Sequence, residues 1–270
     1  MRLALHRSLL GLVLSVTAAH ADLGTTFQQT GNLALEVTAV AGGNSVVAGG
    51  TMVLSRLPAT ATVVKATLYA SQINNGVGLH ATFAGNNLGT VGPAASDSEN
   101  NVFYAYQWDV TARLVPGVTS YTYSVNGGNT IAGVALAVVW EDINEPTRMV
   151  AIVDGMLQVG ENGAETESAD IENLGHGATK VSIFTVLDDT INTGETVAYN
   201  DSIIGGPIDR NLGVLASLLE LDCDSFTGTN RLSIWTDTDH MGWMIAGVEV
   251  TMPPVSLSRS TWSGVKALYR

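Results

Sequence analysis

Leu33-Ala-Leu-Glu-Val-Thr-Ala-Val40 decides the fold class. Leu33, Leu35, Val37 and Ala39 alternate with Ala34, Glu36 and Thr38, and a period of two sets an apolar row on one face of an extended strand. The same period returns at Tyr121, Tyr123 and Val125, which alternate with Thr122 and Ser124 ahead of Asn126-Gly127-Gly128, read as a turn with positive φ. Val63–Ala70, Lys180–Leu187, Arg231–Thr236 and Trp243–Met252 are further runs rich in β-branched and aromatic residues, each bounded by Gly, Asn, Asp or Pro. Helical spacing with good helix formers is confined to Gly213–Leu221 and the last ten residues. The chain is expected to be all-β and antiparallel.

The strands also recur at a fixed distance. Lys65-Ala-Thr-Leu-Tyr-Ala is echoed by Lys180-Val-Ser-Ile-Phe-Thr at an offset of 115, and Ile131-Ala-Gly-Val134 returns unchanged as Ile245-Ala-Gly-Val248 at an offset of 114. Two tandem, jelly-roll-like β-sandwich units related by internal duplication follow from this reading, with one large sandwich as the alternative. The join falls near Glu141–Pro146, where an apolar strand gives way to acids and a proline. Residues 22–145 then form the first unit, 146–254 the second, and 255–270 a spacer with a short amphipathic tail.

Residues 1–21 read as a cleaved signal peptide. Arg2 and Arg7 flank the start, Ser8–Val16 is an apolar run too short to span a bilayer, and Ala19-His20-Ala21 is a small-x-small cleavage site. The expected location is therefore secreted, extracellular or cell-surface, and no later stretch is long and apolar enough for a spanning helix. A formal charge of −13 leaves no basic face for nucleic acid. With 46% hydrophobic and 14% charged residues the composition is that of a folded chain, and a lone Cys223 permits no internal disulfide.

Trp108-Asp-Val-Thr111, Tyr121-Thr-Tyr-Ser-Val-Asn-Gly-Gly128, Gly133-Val-Ala-Leu-Ala-Val-Val-Trp-Glu-Asp142 and Pro146-Thr-Arg-Met-Val-Ala-Ile-Val-Asp-Gly155 resemble a family of secreted prokaryotic β-proteins, domain of unknown function 3344. Most of the resemblance lies in the last two blocks, and with the repeat it spans about residues 32–252. The loop departs from the pattern, reading Asp142-Ile-Asn-Glu-Pro146 where Asp-Pro would follow the strand directly. The resemblance implies an extracellular β-sandwich and supplies no catalytic residues.

Catalytic motifs are absent. There is no Gly-x-Ser-x-Gly, P-loop, His-Glu-x-x-His or Cys-x-x-Cys, and His80, His176 and His240 share no ligand spacing. No enzyme is expected and no cofactor is required. Asp222/Asp224 and Asp237/Asp239 are Asp-x-Asp pairs that could hold a stabilising calcium, solvated turns being the alternative. Glu161, Glu165, Glu167, Asp170 and Glu172 read as a solvated acidic run, Cys223 as a core residue, and Asn200-Asp201-Ser202 as a glycosylation sequon. Trp108, Trp140, Trp235 and Trp243 fall on strands, where packing is the default and a glycan platform the sharper alternative.

The two ends bear on function. Leu33, Leu35 and Val37 offer a row that could lie within its own sandwich or enter a neighbour's sheet, and Trp262, Val265 and Leu268 share a helical face near the C-terminus. The expected function is a non-enzymatic structural protein that partners itself, a homopolymer in an extracellular filament or surface layer, through strand or tail exchange. The alternative is a glycan-binding or adhesive module.

Overall fold

A computed structural model describes residues 23–74, 76–96, 102–160, 165–187, 195–206, 216–236 and 241–253. Among them the chain is all-β, with a single 3₁₀ turn at Thr111–Arg113. Sixteen strands follow in order: β1 (Gly24–Gly31), β2 (Leu33–Val53), β3 (Thr62–Ile73), β4 (Leu79–Phe83), β5 (Asn86–Val91), β6 (Ala95–Ser96), β7 (Phe103–Asp109), β8 (Ser120–Glu141), β9 (Arg148–Val159), β10 (Glu165–Ile171), β11 (Gly177–Leu187), β12 (Thr196–Tyr199), β13 (Ser202–Gly205), β14 (Ala216–Ser225), β15 (Asn230–Thr236) and β16 (Met241–Thr251). All their pairings are antiparallel.

β2 and β8 run beside each other for nearly their whole lengths and take part in two sheets. The early half of β8 pairs β4, and its later half pairs β3. Asn126-Gly127-Gly128 is therefore a bend inside β8 and not the turn its sequence suggests, and neither glycine has positive φ. The ladder to β2 shifts register there, which lets one strand cross from sheet to sheet without ending. Helical spacing fails at Gly213–Leu221 as well: from Ala216 onward that segment is β14, paired residue for residue with β11. Ladder bonds and burial on one edge outweigh the weak local preference for helix.

Three hydrophobic cores stack through the molecule. The first lies inside the first sandwich, with Leu68, Tyr106, Trp108, Leu136 and Trp140 facing Met52, Leu79, Phe83 and Tyr121. The third lies inside the second sandwich, around Val153, Val181, Leu232, Ile234 and Trp243. Between them a middle core joins the inner sheet of one sandwich to the inner sheet of the other, through Leu33, Leu35, Val37, Tyr69, Phe103 and Ala135 on one side and Val150, Ile152, Phe184 and Ile245 on the other. Inner strands thus bury both faces, which explains why Gly133–Trp140 is continuously apolar where a half-buried strand would alternate.

The two units repeat one pairing order, β2-β8-β3-β7 in the first and β9-β16-β11-β14 in the second. Lys65 lies opposite Val139 on β8, and Lys180 lies opposite Glu249 on β16, so these lysines hold matching places. The identical tetrapeptides do not. Gln72 faces Ile131, whereas Phe184, in the place of Tyr69, faces Ile245, and Tyr69 itself faces Ala135. The pairing order repeats while the constant offset breaks down in the last strand, so the tetrapeptides do not establish a duplication.

Candidate functional site

The assembly of the two units turns on what covers their sheet edges, because an open edge presents unpaired backbone donors and acceptors. In the first unit the start of β2 is plugged by side chains, two of them from the second unit. Glu249 Oε1 accepts the Leu35 N–H at 2.8 Å, Arg56 Nη1 donates to the Leu35 carbonyl at 2.8 Å, and Arg148 Nη1 donates to the Leu33 carbonyl at 2.8 Å. Arg56 also pairs Glu249 at 3.2 Å and lies over Trp140, while Arg148 pairs Glu145 at 2.6 Å. Burial works against the Arg56 charge, yet Glu249 beside it holds the guanidinium above its ordinary pKa. Glu36, also buried, accepts from the backbone of Ser55 and Arg56 and from the Ser55 hydroxyl.

Arg56, Arg148 and Glu249 line a cleft of about 290 Å³ with Lys180 and Asp222. Lys180 pairs Glu220 at 2.5 Å, so all three of its cations are engaged with carboxylates. The cluster closes an edge and joins two units, and the half-buried thiol of Cys223 lines the same cleft.

In the second unit the matching edge, that of β9, is covered by a strand. β1 pairs β9 from Gly24 opposite Asp154 to Gly31 opposite Arg148, and only Asn32 separates it from β2 in the other sandwich. Thr26 sits at a register shift, where its hydroxyl donates to Asp154 Oδ2 at 2.8 Å. The same oxygen accepts from Tyr69 at 2.6 Å and Oδ1 accepts from Gln107 Nε2 at 3.1 Å. Asp154 is buried, and neutral donors from β1, β3 and β7 surround it. Burial, and then the Asp154 charge, hold the Tyr69 phenol well above its ordinary pKa.

β1 leaves a new outer edge of its own. Its sequence, Gly-Thr-Thr-Phe-Gln-Gln-Thr-Gly, contains no charge and no proline, and most of its side chains are exposed. Other edges differ in kind. β10 carries Glu165, Glu167 and Asp170; β14 carries Glu220, Asp222 and Asp224; β6 and β13 are short; β5 is interrupted by a register shift and by Gly89 at φ 82°. The later half of β2 resembles β1 instead. From Ser45 to Val53 it is uncharged, pairs only β8 among the described residues, and exposes Val46, Val47 and Val53 by half or more.

Leu33, Leu35 and Val37 are inside the molecule, at 0–4% exposure, in the middle core. Within one chain they take the intramolecular of their two readings, covered by the inner sheet of the second sandwich. Asp222 and Asp224 share the outer face of β14, opposite Lys180 and Ala178, and no group of three potential ligands converges among the described residues. Asp237, Asp239, Trp262, Val265 and Leu268 lie outside the described residues. Of the acidic run, Glu165, Glu167 and Asp170 are on strand β10 and not in a loop; Asp170 pairs Arg231, and Glu172 accepts from Thr229. Cys223 is half-buried, and burial with Asp224 and Asp222 pushes its thiol up to about 12.

Trp108, Trp140 and Trp243 are core residues. Asp154, Tyr69, Arg56 and Glu249 are the residues that sequence reading missed. Asp154-Gly155 does end an apolar run, but its partners lie 47 to 128 positions away and no spacing announces them. No helix among the described residues is long and apolar enough to cross a membrane.

No family model matches the chain, and no curated protein does. Among solved structures it is similar to a conserved protein of unknown function from Pseudomonas aeruginosa PAO1, at 9% identity and a TM-score of 0.32, covering 82% of this chain and all of that one. A β-porphyranase of glycoside hydrolase family 86 from Bacteroides plebeius gives 13% identity and a TM-score of 0.26, covering 88% of this chain and 38% of that one. A β-glucuronidase from Bacteroides uniformis gives 10% and 0.23, covering 73% and 21%. These likenesses are too weak to carry an argument about function.

Proposed function

We propose that this chain is an exported, non-catalytic structural protein that polymerises head to tail, the edge of β1 in one copy pairing with the later half of β2 in the next. The observation that supports it is the contrast among edges: acids, shortness, ion pairs or a left-handed glycine mark the others, whereas β1 and Ser45–Val53 are long, uncharged and free of proline. They sit on different sandwiches, so joining them is a heterologous contact, which extends without limit unless its rotation closes a ring. The signal-peptide pattern of residues 1–21 supports export, and the Trp140-Glu141-Asp142 and Asp154-Gly155 blocks support placing the chain with the secreted family of domain of unknown function 3344.

Gln29→Lys and Val47→Lys test it, since both positions are exposed and each variant charges one edge. Each variant alone should stay monomeric by light scattering while the unmodified chain forms filaments under negative stain. Mixed together they should form dimers and stop there, because one intact β1 edge meets one intact β2 edge. An unmodified chain that remains monomeric at high concentration, or variants that polymerise as it does, would overturn the proposal.

A further inference from the structure

We propose that the loop end of the second sandwich holds a binding site for a neutral pyranose, built around Phe226. This phenyl ring is 53% exposed, yet it is not loosely held. It stacks on His176 with centroids 6.2 Å apart and planes within 9°, and His176 Nδ1 is fixed 2.7 Å from the Ser225 carbonyl. The loop carrying it is clamped by Asn230, which is fully buried: its amide donates to the Phe226 carbonyl at 2.8 Å and accepts the Phe226 N–H at 3.0 Å. Asn200 Nδ2 donates to Asn230 at 2.9 Å, and the Asn173 N–H bonds the Gly228 carbonyl at 3.0 Å. A large apolar ring is thus held toward water on a rigid support, so little ordering entropy remains to be lost on binding.

Beside the ring lies a hollow of about 380 Å³ lined by Asp170, Asn200, Asp201, Phe226, Thr229 and Arg231. The Arg231 guanidinium meets Asp170 in a two-point fork, at 2.7 and 2.9 Å, which fixes both planar groups in place. Asn200 and Asp201 adopt left-handed backbone, φ 48° and 63°, at the turn between β12 and β13. A pyranose has one face of C–H groups and a rim of hydroxyls that both donate and accept. Phe226 beside carboxylate, hydroxyl and guanidinium groups offers both parts of that chemistry. Two carboxylates against one guanidinium line the hollow, in a chain of charge −13, so acidic sugars would be repelled.

Cellohexaose, xylohexaose and mannohexaose, with a galacturonate hexamer as acidic control, can be titrated to roughly 10 mM into ¹⁵N-labelled protein. At least one neutral hexamer should move the amide signals of Phe226–Arg231 saturably while the acidic one moves none. Phe226→Ala should weaken that binding at least tenfold at unchanged Tm, and Asp201→Asn, which the left-handed backbone tolerates, should weaken it without touching the ring. No shifts with any neutral hexamer, equal binding of the acidic one, or full affinity in Phe226→Ala would each overturn the proposal. Running the titration on Val47→Lys protein separates this outcome from that of polymerisation.

Discussion

Tyr69 and Asp154 stand 85 residues apart and meet across the middle core, the phenol donating to Asp154 Oδ2 at 2.6 Å with both side chains buried. Removing the phenol in Tyr69→Phe leaves a buried carboxylate short of one donor. A charged hydrogen bond of this kind is worth about 1.5–3 kcal/mol, and in a chain of this size that lowers Tm by several degrees. Asp154→Asn should cost less, because a neutral amide is cheaper to bury than a charge that has lost its partners.

The same pair adds to an alkaline limit shared with the buried phenols of Tyr106, Tyr121, Tyr123 and Tyr199. A phenol whose folded pKa is raised keeps its proton in the native state while the unfolded state releases its own near the ordinary value of 10.0. Its contribution is full below that pH and is lost as pH climbs from there toward the folded value. Denaturant unfolding at intervals above pH 9 should show stability falling beyond about pH 10, and Tyr69→Phe should flatten the fall. An identical slope in the variant would assign the effect to other groups.

Gly133 marks how closely the inner sheets approach. A Cβ there would come within 2.7 Å of the Phe184 ring tip and 2.8 Å of Ala216 Cβ. Gly133→Ala should therefore part the sheets or force a rotamer, at about 1–3 kcal/mol. Adding Ala216→Gly removes one of the two collisions, so the double variant should melt above Gly133→Ala alone. Additive losses would show that Ala216 is not the obstacle.

Alternation made the strand class legible from Leu33 to Ala39, because a period of two survives whichever surface the apolar face meets. What that face meets was not legible. The row from Leu33 to Val37 has the same grammar whether it covers its own middle core or a neighbour's sheet, and the choice depends on Val150, Ile152 and Ile245, more than a hundred positions away. Strands buried on both faces lose alternation altogether, as Gly133–Trp140 does. Lys65 and Lys180 were legible as counterparts since both keep their place in the ladder, while Ile131 and Ile245 share letters but not register. The edge plug of Glu249, Arg56 and Arg148 left no local signal, its parts being scattered over two strands and a loop.

Cys223 is a poor thiol nucleophile. With its pKa pushed up to about 12 by burial and by Asp224 and Asp222, from an ordinary 9.0, its thiolate fraction at pH 8 falls by roughly a thousandfold. Iodoacetamide at pH 8 should alkylate it far more slowly than a free cysteine, and urea should restore the ordinary rate. Oxidised protein should show no disulfide-linked dimer through this residue; a prompt dimer would mean that the edge strand β14 opens readily.

β1 is held by a ladder and a few side-chain anchors, Thr26 to Asp154 and Gln28 to the Glu172 carbonyl foremost, since most of its side chains are exposed. A chain beginning at Asn32 would uncover the edge of β9 from Arg148 to Asp154, including the backbone of Val150 and Ile152, whose side chains remain in the middle core. Such an edge is a template for any extended partner. The truncated chain should aggregate, and a synthetic peptide of residues 23–31 should rescue it by adding back as an antiparallel strand. Thr26→Ala in the peptide removes the hydroxyl that reaches Asp154 and should weaken capture several-fold, whereas Gln29→Lys, which alters only an exposed side chain, should be captured normally. Fluorescence anisotropy of a labelled peptide, with the intact chain as a control whose edge is already filled, measures both. Capture by the intact chain as strong as by the truncated one would place the peptide on another edge; a truncated chain that stays soluble and ignores the peptide would mean that β1 does not guard β9.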